Sequence, residues 1–401
     1  METKVSKKSW IVLIAAVLIM LGCGMQYSWS VFSKEMINAW GWTAQQATLP
    51  YTVFCIVSAF TAFPGGLIAD KSPRANVWMN AALYGGGLMI CGLSQSVAGM
   101  VIGFGVMVGA AAGAICVGPI PTATKWWPAN KKGLITGLGH SGTAFSGMYM
   151  SIVMNFVLQK FGISRGFRML AIYIFVLLMA LSFFMFKPPV AETADSSDDG
   201  GNRDLNWNQT IKTSAFWKLV VIYIVGGCAG HMVASQASMI AQVQCNWQAG
   251  FILSALVGMF NGVGRISFPA VSDKISVYKA FIVVYALSVV NLLLFRFYQT
   301  PALLMFGACM AGLTYGGSIT LLYTSVAVEF GRKYMGRNYG LLAMAYAGSG
   351  TIGPMLGAWC VDTAGNYYLS YVIAAVLNFV AILISINMER NYQKRIRESK
   401  Q

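Results

Sequence analysis

Ser254-Ala-Leu-Val-Gly-Met-Phe-Asn-Gly-Val-Gly-Arg265-Ile-Ser-Phe-Pro-Ala-Val-Ser-Asp273 is a run that hydrocarbon would accept but for one residue. With Asp273 at the cytoplasmic end of a helix, Arg265 lies eight residues in, about 12 Å at 1.5 Å per residue. That is near the middle of a hydrocarbon core about 30 Å thick. A buried arginine there costs about 2.5–3.5 kcal/mol on insertion scales, so something must offset it.

Outward from this stretch the rest of the chain has the same character. Its 401 residues are 57% hydrophobic and 10% charged, against about 25% charged in soluble proteins. Apolar stretches of about 20 residues recur along the whole length, which requires a polytopic all-α membrane protein. Twelve spans are expected, near 10–32, 46–69, 76–96, 99–121, 133–158, 167–187, 215–240, 249–271, 278–297, 301–327, 337–361 and 367–388. The net charge of +15 invites a nucleic-acid reading, but the distribution of the charge removes it. With both termini inside, cytoplasmic segments hold 22 of the 28 Lys and Arg. Lys34, Lys160, Arg165, Arg168 and Arg296 fall outside, and Arg265 is intramembrane. This asymmetry is a topology signal. It predicts a multi-pass protein of a bacterial-type cytoplasmic (inner) membrane, both termini cytoplasmic, with the lipid bilayer as its solvent. The eight cysteines are scattered with no Cys-x-x-Cys pair, so neither a disulfide framework nor a metal site or cofactor is implied.

The long polar stretch 188–214, acidic and rich in Ser and Gly, reads as a cytoplasmic linker. It divides the chain into a six-helix bundle over 1–187 and a second over 215–401. The halves echo each other: Gly22-Cys23 matches Gly227-Cys228, Asp70-Lys71 matches Asp273-Lys274, and Gly133-Leu134 matches Gly340-Leu341, at offsets of 205, 203 and 207 residues. Two parallel six-helix pseudo-repeats are an architecture of secondary transporters, with the substrate site near the midplane between them. Small residues at four-residue spacing (Gly105/Gly109/Gly113 in span four, Gly312/Gly316 in span ten, Gly353/Gly357 in span eleven) predict close helix packing.

Gly66-Leu-Ile-Ala-Asp70-Lys71-Ser-Pro-Arg74, between spans two and three, resembles the signature loop Gly-x-Leu-Ala-Asp-Arg-x-Gly-Arg of the major facilitator superfamily. Lys71 stands for its first arginine and Pro73 for its second glycine. The resemblance implies that Asp70, with Lys71 and Arg74, latches one conformation on the cytoplasmic face; a degenerate copy falls on Asp273. Read on its own chemistry, the loop is a positive-inside turn with a capping aspartate. A narrower set of segments looks like the oxalate:formate antiporter group, within the monocarboxylate-porter branch. These are Gly24-Met-Gln-Tyr27-Ser-Trp29-Ser-Val-Phe32, Lys125-Trp-Trp-Pro128, Gly166-Phe-Arg168, Asn261-Gly-Val-Gly-Arg265 and Asn338-Tyr-Gly-Leu-Leu342. This resemblance implies that Arg265 binds the substrate carboxylate.

The residues point the same way independently. No Asp or Glu falls deep in any span; Glu329 sits at the end of span ten, where Arg332 is an i,i+3 partner. An intramembrane cation without an intramembrane carboxylate favours an anionic ligand, which a guanidinium meets as a planar two-pronged donor. The alternative is that Arg265 snorkels to the headgroups. Proton-coupled monocarboxylate porters carry an aspartate four residues before this arginine; here Asn261 occupies the place and cannot carry a proton. In span eleven Tyr346 stands where the oxalate exchanger has a lysine, so one cation suits a monocarboxylate better than a dianion. His231 and His140 lie within spans as titratable candidates with neutral structural roles as the alternative, and Tyr27 and Trp29 are candidates to line the cavity from span one.

The expectation is a secondary transporter of small organic anions, working by alternating access as antiporter or symporter, with a counter-anion or a proton as its coupled partner and functional as a monomer. A facilitator-superfamily porter for a neutral or cationic solute is the rival. No nucleophile–base or metal-ligand motif supports an enzyme.

Overall fold

The computed structural model describes residues 6–127, 132–186, 205–331 and 335–398. Among them the chain forms helices in the order α1 (Lys7–Cys23), α2 (Trp29–Trp40), α3 (Ala44–Lys71), α4 (Pro73–Leu93), α5 (Val97–Met100), α6 (Gly109–Cys116), α7 (Pro119–Thr124), α8 (Lys132–Phe161) and α9 (Ile163–Ser182). Then follow α10 (Trp207–Thr210), α11 (Ser214–Cys245), α12 (Phe251–Ile275), α13 (Val277–Phe295), α14 (Pro301–Phe330), α15 (Met335–Ala343), α16 (Tyr346–Ala364) and α17 (Tyr368–Glu398). Several join end to end into twelve rods, because α1 runs into α2, α5 through α7 into one rod, and α15 into α16. Eight of the rods are apolar and long enough to cross a membrane by composition alone.

The rods alternate direction. One end of the molecule, called here the termini end, carries Lys7 and Glu398; the other, the distal end, carries the α2–α3 and α16–α17 turns. The buried apolar residues sort by sequence. One core draws on positions from Val12 to Met185, and two others draw only on positions from Phe216 to Met388. Residues before 187 and after 204 are called the first and second halves below. Residues 188–204 of the expected linker lie outside the described residues. The part that follows them folds back onto the second half. The Leu205 N–H donates to the Phe330 carbonyl at 3.0 Å, and Asn338 Nδ2 donates to the Leu205 carbonyl at 2.9 Å.

Two rods are broken where the sequence demands it, and each break places a site residue. At Gly24 the chain leaves α1 for one 3₁₀ turn, Met25–Ser28. A Cβ on Gly24 would stand 2.7 Å from the Thr143 carbonyl of α8, so only glycine lets the two backbones meet there. The turn puts Tyr27 on the inner face. The second break, between α15 and α16, delivers Tyr346 to the same face. A π-helical stretch, Val101–Val108, follows α5 where Gly103 packs against the backbone of Gly87.

At the termini end Glu329 has partners that the sequence reading did not name. Arg332 lies outside the described residues. Glu329, with a side chain only 3% exposed, accepts from Arg395 Nη2 at 2.6 Å and from the Tyr278 hydroxyl. This partner lies on α17, 66 residues away. Among the described residues, Arg395→Ala leaves the buried carboxylate with one neutral donor, the Tyr278 hydroxyl. We expect a loss of about 1–3 kcal/mol, read as a lower Tm in detergent, and a smaller loss for Glu329→Gln. Equal stability of Arg395→Ala and the parent protein would show that the pair is idle.

Candidate functional site

Arg265 sits on α12 where it faces the first half. Its Nε donates to Asn261 Oδ1 at 2.9 Å, one helical turn back. Its Nη2 donates to the Tyr27 hydroxyl at 2.6 Å and its Nη1 to the Thr143 hydroxyl on α8 at 3.4 Å. Both halves therefore supply its partners, and the guanidinium head is held mid-rod rather than turned out to the headgroups. Among the described residues three of its five N–H groups are used, which leaves one on each terminal nitrogen. Its exposure is intermediate, while Asn261 is fully buried.

The hydrogen bonds fix further polarity. Asn261 must present its carbonyl to Nε–H, so its NH₂ points away, and Nδ2 is buried without a partner among the described residues. Tyr27, 5% exposed, accepts from Arg265 and so retains its own O–H to donate. The arrangement thus offers four donors from three side chains, and these three carry no carboxylate.

The close approach of α8 and α12 builds this geometry. A Cβ on Gly147 would lie 2.6 Å from Tyr27 Cβ and 3.2 Å from Gly258 Cα. Behind Asn261, Gly316 of α14 packs directly on the Asn261 carbonyl, Gly312 on that of Val257, and Gly264 on that of Leu313. The small-residue spacing predicted for span ten is thus what seats the arginine-bearing helix.

Tyr27 also packs with Tyr315 and Ile319, with Tyr323 beside them. Tyr315 leads to His231. Its hydroxyl is 3.1 Å from Nε2, and the Tyr51 hydroxyl of the first half is 3.1 Å from Nδ1. The Tyr346 ring meets the imidazole edge-on with centroids 4.7 Å apart. His231 is 0% exposed. It is a buried bridge between the halves, sealed by three tyrosines, rather than an open second cation.

The other sequence candidates fall elsewhere. Trp29 does not line the site: it is buried in the first core, its indole N–H donates to the Ala47 carbonyl at 3.1 Å, and its ring lies 4.0 Å from that of Phe104. The reason is phase, since two residues past Tyr27 the resumed helix turns that side chain inward to its own bundle. Arg74 donates to the Phe183 carbonyl at 3.2 Å, a contact inside the first half that does not latch one half to the other. Lys71 is exposed. The side chains of Asp70, Asp273 and His140 lie outside the described residues. Lys34, expected in an outer loop, is buried between the halves and donates to the Gln248 carbonyl at 2.8 Å.

Sequence reasoning passed over Thr143, Tyr51 and Tyr315. Each is a hydroxyl-bearing residue within a span, and Tyr315 and Thr143 stand near mid-span among glycines, in Gly312-Leu-Thr-Tyr-Gly-Gly and Gly139-His-Ser-Gly-Thr. That signal was legible, but glycine-rich packing helices carry many such residues.

Beyond the site, the halves are joined toward the distal end by a seam of hydrogen bonds. Ser30 meets Ser238 and Ser254, Gln236 donates to Thr48 at 2.7 Å, and Asn38 and Gln242 exchange bonds at 3.3 Å. Asp362 accepts from the first amides of α3. These bonds join the two halves on the distal side of the arginine site.

Comparison with known proteins agrees with this architecture. The oxalate:formate antiporter of Oxalobacter formigenes is 25% identical over 382 residues, covering 94% of this chain and 90% of that protein. Monocarboxylate transporter 13 of Rattus norvegicus is 24% identical over 379 residues, covering 91% and 85%. Among solved structures, a bacterial homolog of the human lysosomal transporter Spinster, in an inward-facing and unoccupied conformation, superposes with a TM-score of 0.75 at 14% identity, covering 97% of this chain and 98% of that one. The profile of the Major Facilitator Superfamily matches residues 12–347 and 270–401. Twelve rods, a site between two halves and this match place the chain in one family: it is a multi-pass membrane transporter of the Major Facilitator Superfamily.

Proposed function

We propose that this transporter carries a small organic anion, a monocarboxylate in preference to a dianion, with Arg265 as the binding cation. The single observation that carries the reading is a mid-rod guanidinium whose partners among the described residues, Asn261, Tyr27 and Thr143, are all neutral. A buried cation without a counter-charge is stabilised by an anionic ligand and destabilised by a cationic one. The two remaining terminal N–H groups match a carboxylate, and Tyr27 O–H and Asn261 Nδ2 supply further donors. The similarity to an oxalate:formate antiporter and a monocarboxylate transporter supports the same class.

With one cation at the site among the described residues, the second charge of oxalate finds no counterpart there; Tyr346 offers a ring and a hydroxyl where a lysine would be needed. Asn261 holds no proton, so exchange of anions or uniport is favoured over proton symport through that position. In this reading the termini are cytoplasmic, the two bundles rock about the site, and the distal side, where the seam joins the halves, is the outer one. The monomer contains the complete pathway.

Uptake into proteoliposomes tests this, using labelled mono- and dicarboxylates with and without internal counter-substrate at two pH values. Monocarboxylate uptake stimulated by internal anion and indifferent to a pH gradient is expected. Uptake of a neutral or cationic solute with none of the carboxylates would defeat the proposal.

A further inference from the structure

The sequence pointed to a latch at the termini end, yet among the described residues the charged contacts across the halves, apart from those of Arg265 at the site, lie at the other end. Helix α3 begins with four amides that lack partners within the helix. Thr43 and Gln46 form a capping box there: Gln46 N donates to Thr43 Oγ1 at 3.2 Å, and Thr43 N donates to Gln46 Oε1 at 3.0 Å. The two amides between them, Ala44 N and Gln45 N, donate to Asp362 Oδ1 and Oδ2 at 2.8 and 2.9 Å. Asp362 lies on the last turn of α16, in the second half and 318 residues away. The cap of a helix in one half is completed by a carboxylate of the other.

Lys34 makes the reciprocal contact. From the first half its ammonium reaches the Gln248 carbonyl at 2.8 Å and Gln248 Oε1 at 3.3 Å, in the α11–α12 turn of the second half. Each half therefore sends one charge onto backbone groups of the other, and the seam bonds of Asn38, Thr48 and Ser30 to α11 are neutral.

We propose that Asp362 is the latch of the distal gate, holding that side shut by capping α3 across the halves, so that its loss shifts the protein toward the conformation open at the distal end. The physics sets the sense. When the distal end opens, the carboxylate and the two amides return to water, and the helix N-terminus loses the anion that its dipole favours. Asp362 is exposed, so the latch is weak enough to release in each cycle. It is a positioning residue and does not touch the arginine site.

The test is hydrogen–deuterium exchange on the full-length protein in lipid nanodiscs, which needs no substrate and so stands or falls apart from the anion assignment. Asp362→Asn is expected to raise exchange about three- to tenfold, the equivalent of one net hydrogen bond, both at the start of α3 and at seam segments remote from it, in α2 near Asn38 and in α11 near Gln242. Asp362→Glu should restore part of the protection. An increase confined to residues 43–47, or none, would reduce Asp362 to a local cap and overturn the proposal. Ala44→Pro checks it from the other partner. Proline is well tolerated at the first helical position, so the helix persists while one donor is removed. It should raise exchange near Gln242 in the same direction, and less than additively with Asp362→Asn. Unchanged exchange at the seam in a folded Ala44→Pro protein would equally refute the latch.

Discussion

Arg265→Lys is expected to abolish the proposed carboxylate uptake, by about two orders of magnitude or more, although the charge is kept. The guanidinium is held as a plane by Asn261, Tyr27 and Thr143, with its terminal nitrogens left to pair with the ligand. An ammonium is a point donor with three N–H groups. It cannot hold Asn261 and Tyr27 and still present two parallel donors. Loss of a charge-assisted bidentate contact in a desolvated site is worth about 2–5 kcal/mol. Arg265→Ala goes as far, and it leaves Asn261 Oδ1 unpaired as well, so its Tm should fall while insertion into the membrane persists. The measurement is substrate affinity and initial uptake rate in proteoliposomes, with the Tm as control. Normal affinity in a folded Arg265→Ala protein would remove Arg265 from the binding site.

The second large effect is expected far from any ligand, at Gly316. A methyl group there would collide with the Asn261 carbonyl, and neither partner in that collision is a flexible side chain. Backbone must separate from backbone, so α12 and α14 have to part along a seam that Gly264, Gly312 and Gly316 share. Overpacking costs about 1–3 kcal/mol where side chains can adjust, and more where they cannot. Without a hydrophobic driving force between helices in lipid, such close packing is much of what holds two of them together. Gly316→Ala should therefore lower the Tm and Gly316→Val should prevent recovery of folded protein. Because the obstruction falls on Asn261, transport by the surviving Gly316→Ala protein should fall further than its stability does. A Tm within about a degree of the parent for Gly316→Ala would mean that the helices are not packed as described. The same substitution at Gly340, where a Cβ meets nothing within 4 Å, serves as the neutral control.

Much of the architecture is legible in the amino-acid sequence. Apolar length and the placing of Lys and Arg give helices across a membrane, because the cost of burying a charge or an unpaired amide in hydrocarbon is incurred locally, residue by residue. The same cost makes Arg265 conspicuous, and the Gly312/Gly316 spacing announces a close helix pair. These properties travel with the sequence, since they depend on a residue and its neighbours within a turn or two of helix.

What the tertiary structure alone decided is who partners whom. Tyr27 and Trp29 are two residues apart and equally eligible on paper, yet a 3₁₀ turn at Gly24 gives one to Arg265 and the other to the first core. Glu329 is partnered by Arg395, 66 residues further along the chain. Asp362, an unremarked acid at a helix end, caps α3 from the opposite half. Tyr27 and Arg265 are 238 residues apart, and Ala44 and Asp362 318. A hydrogen bond is directional and short, within about 3 Å, so at such separations its partner is fixed by the packing of whole helices rather than by local pattern. The sequence determined a membrane bundle with one costly arginine inside it; only the fold decided what surrounds that arginine and at which end the seam joins the two halves.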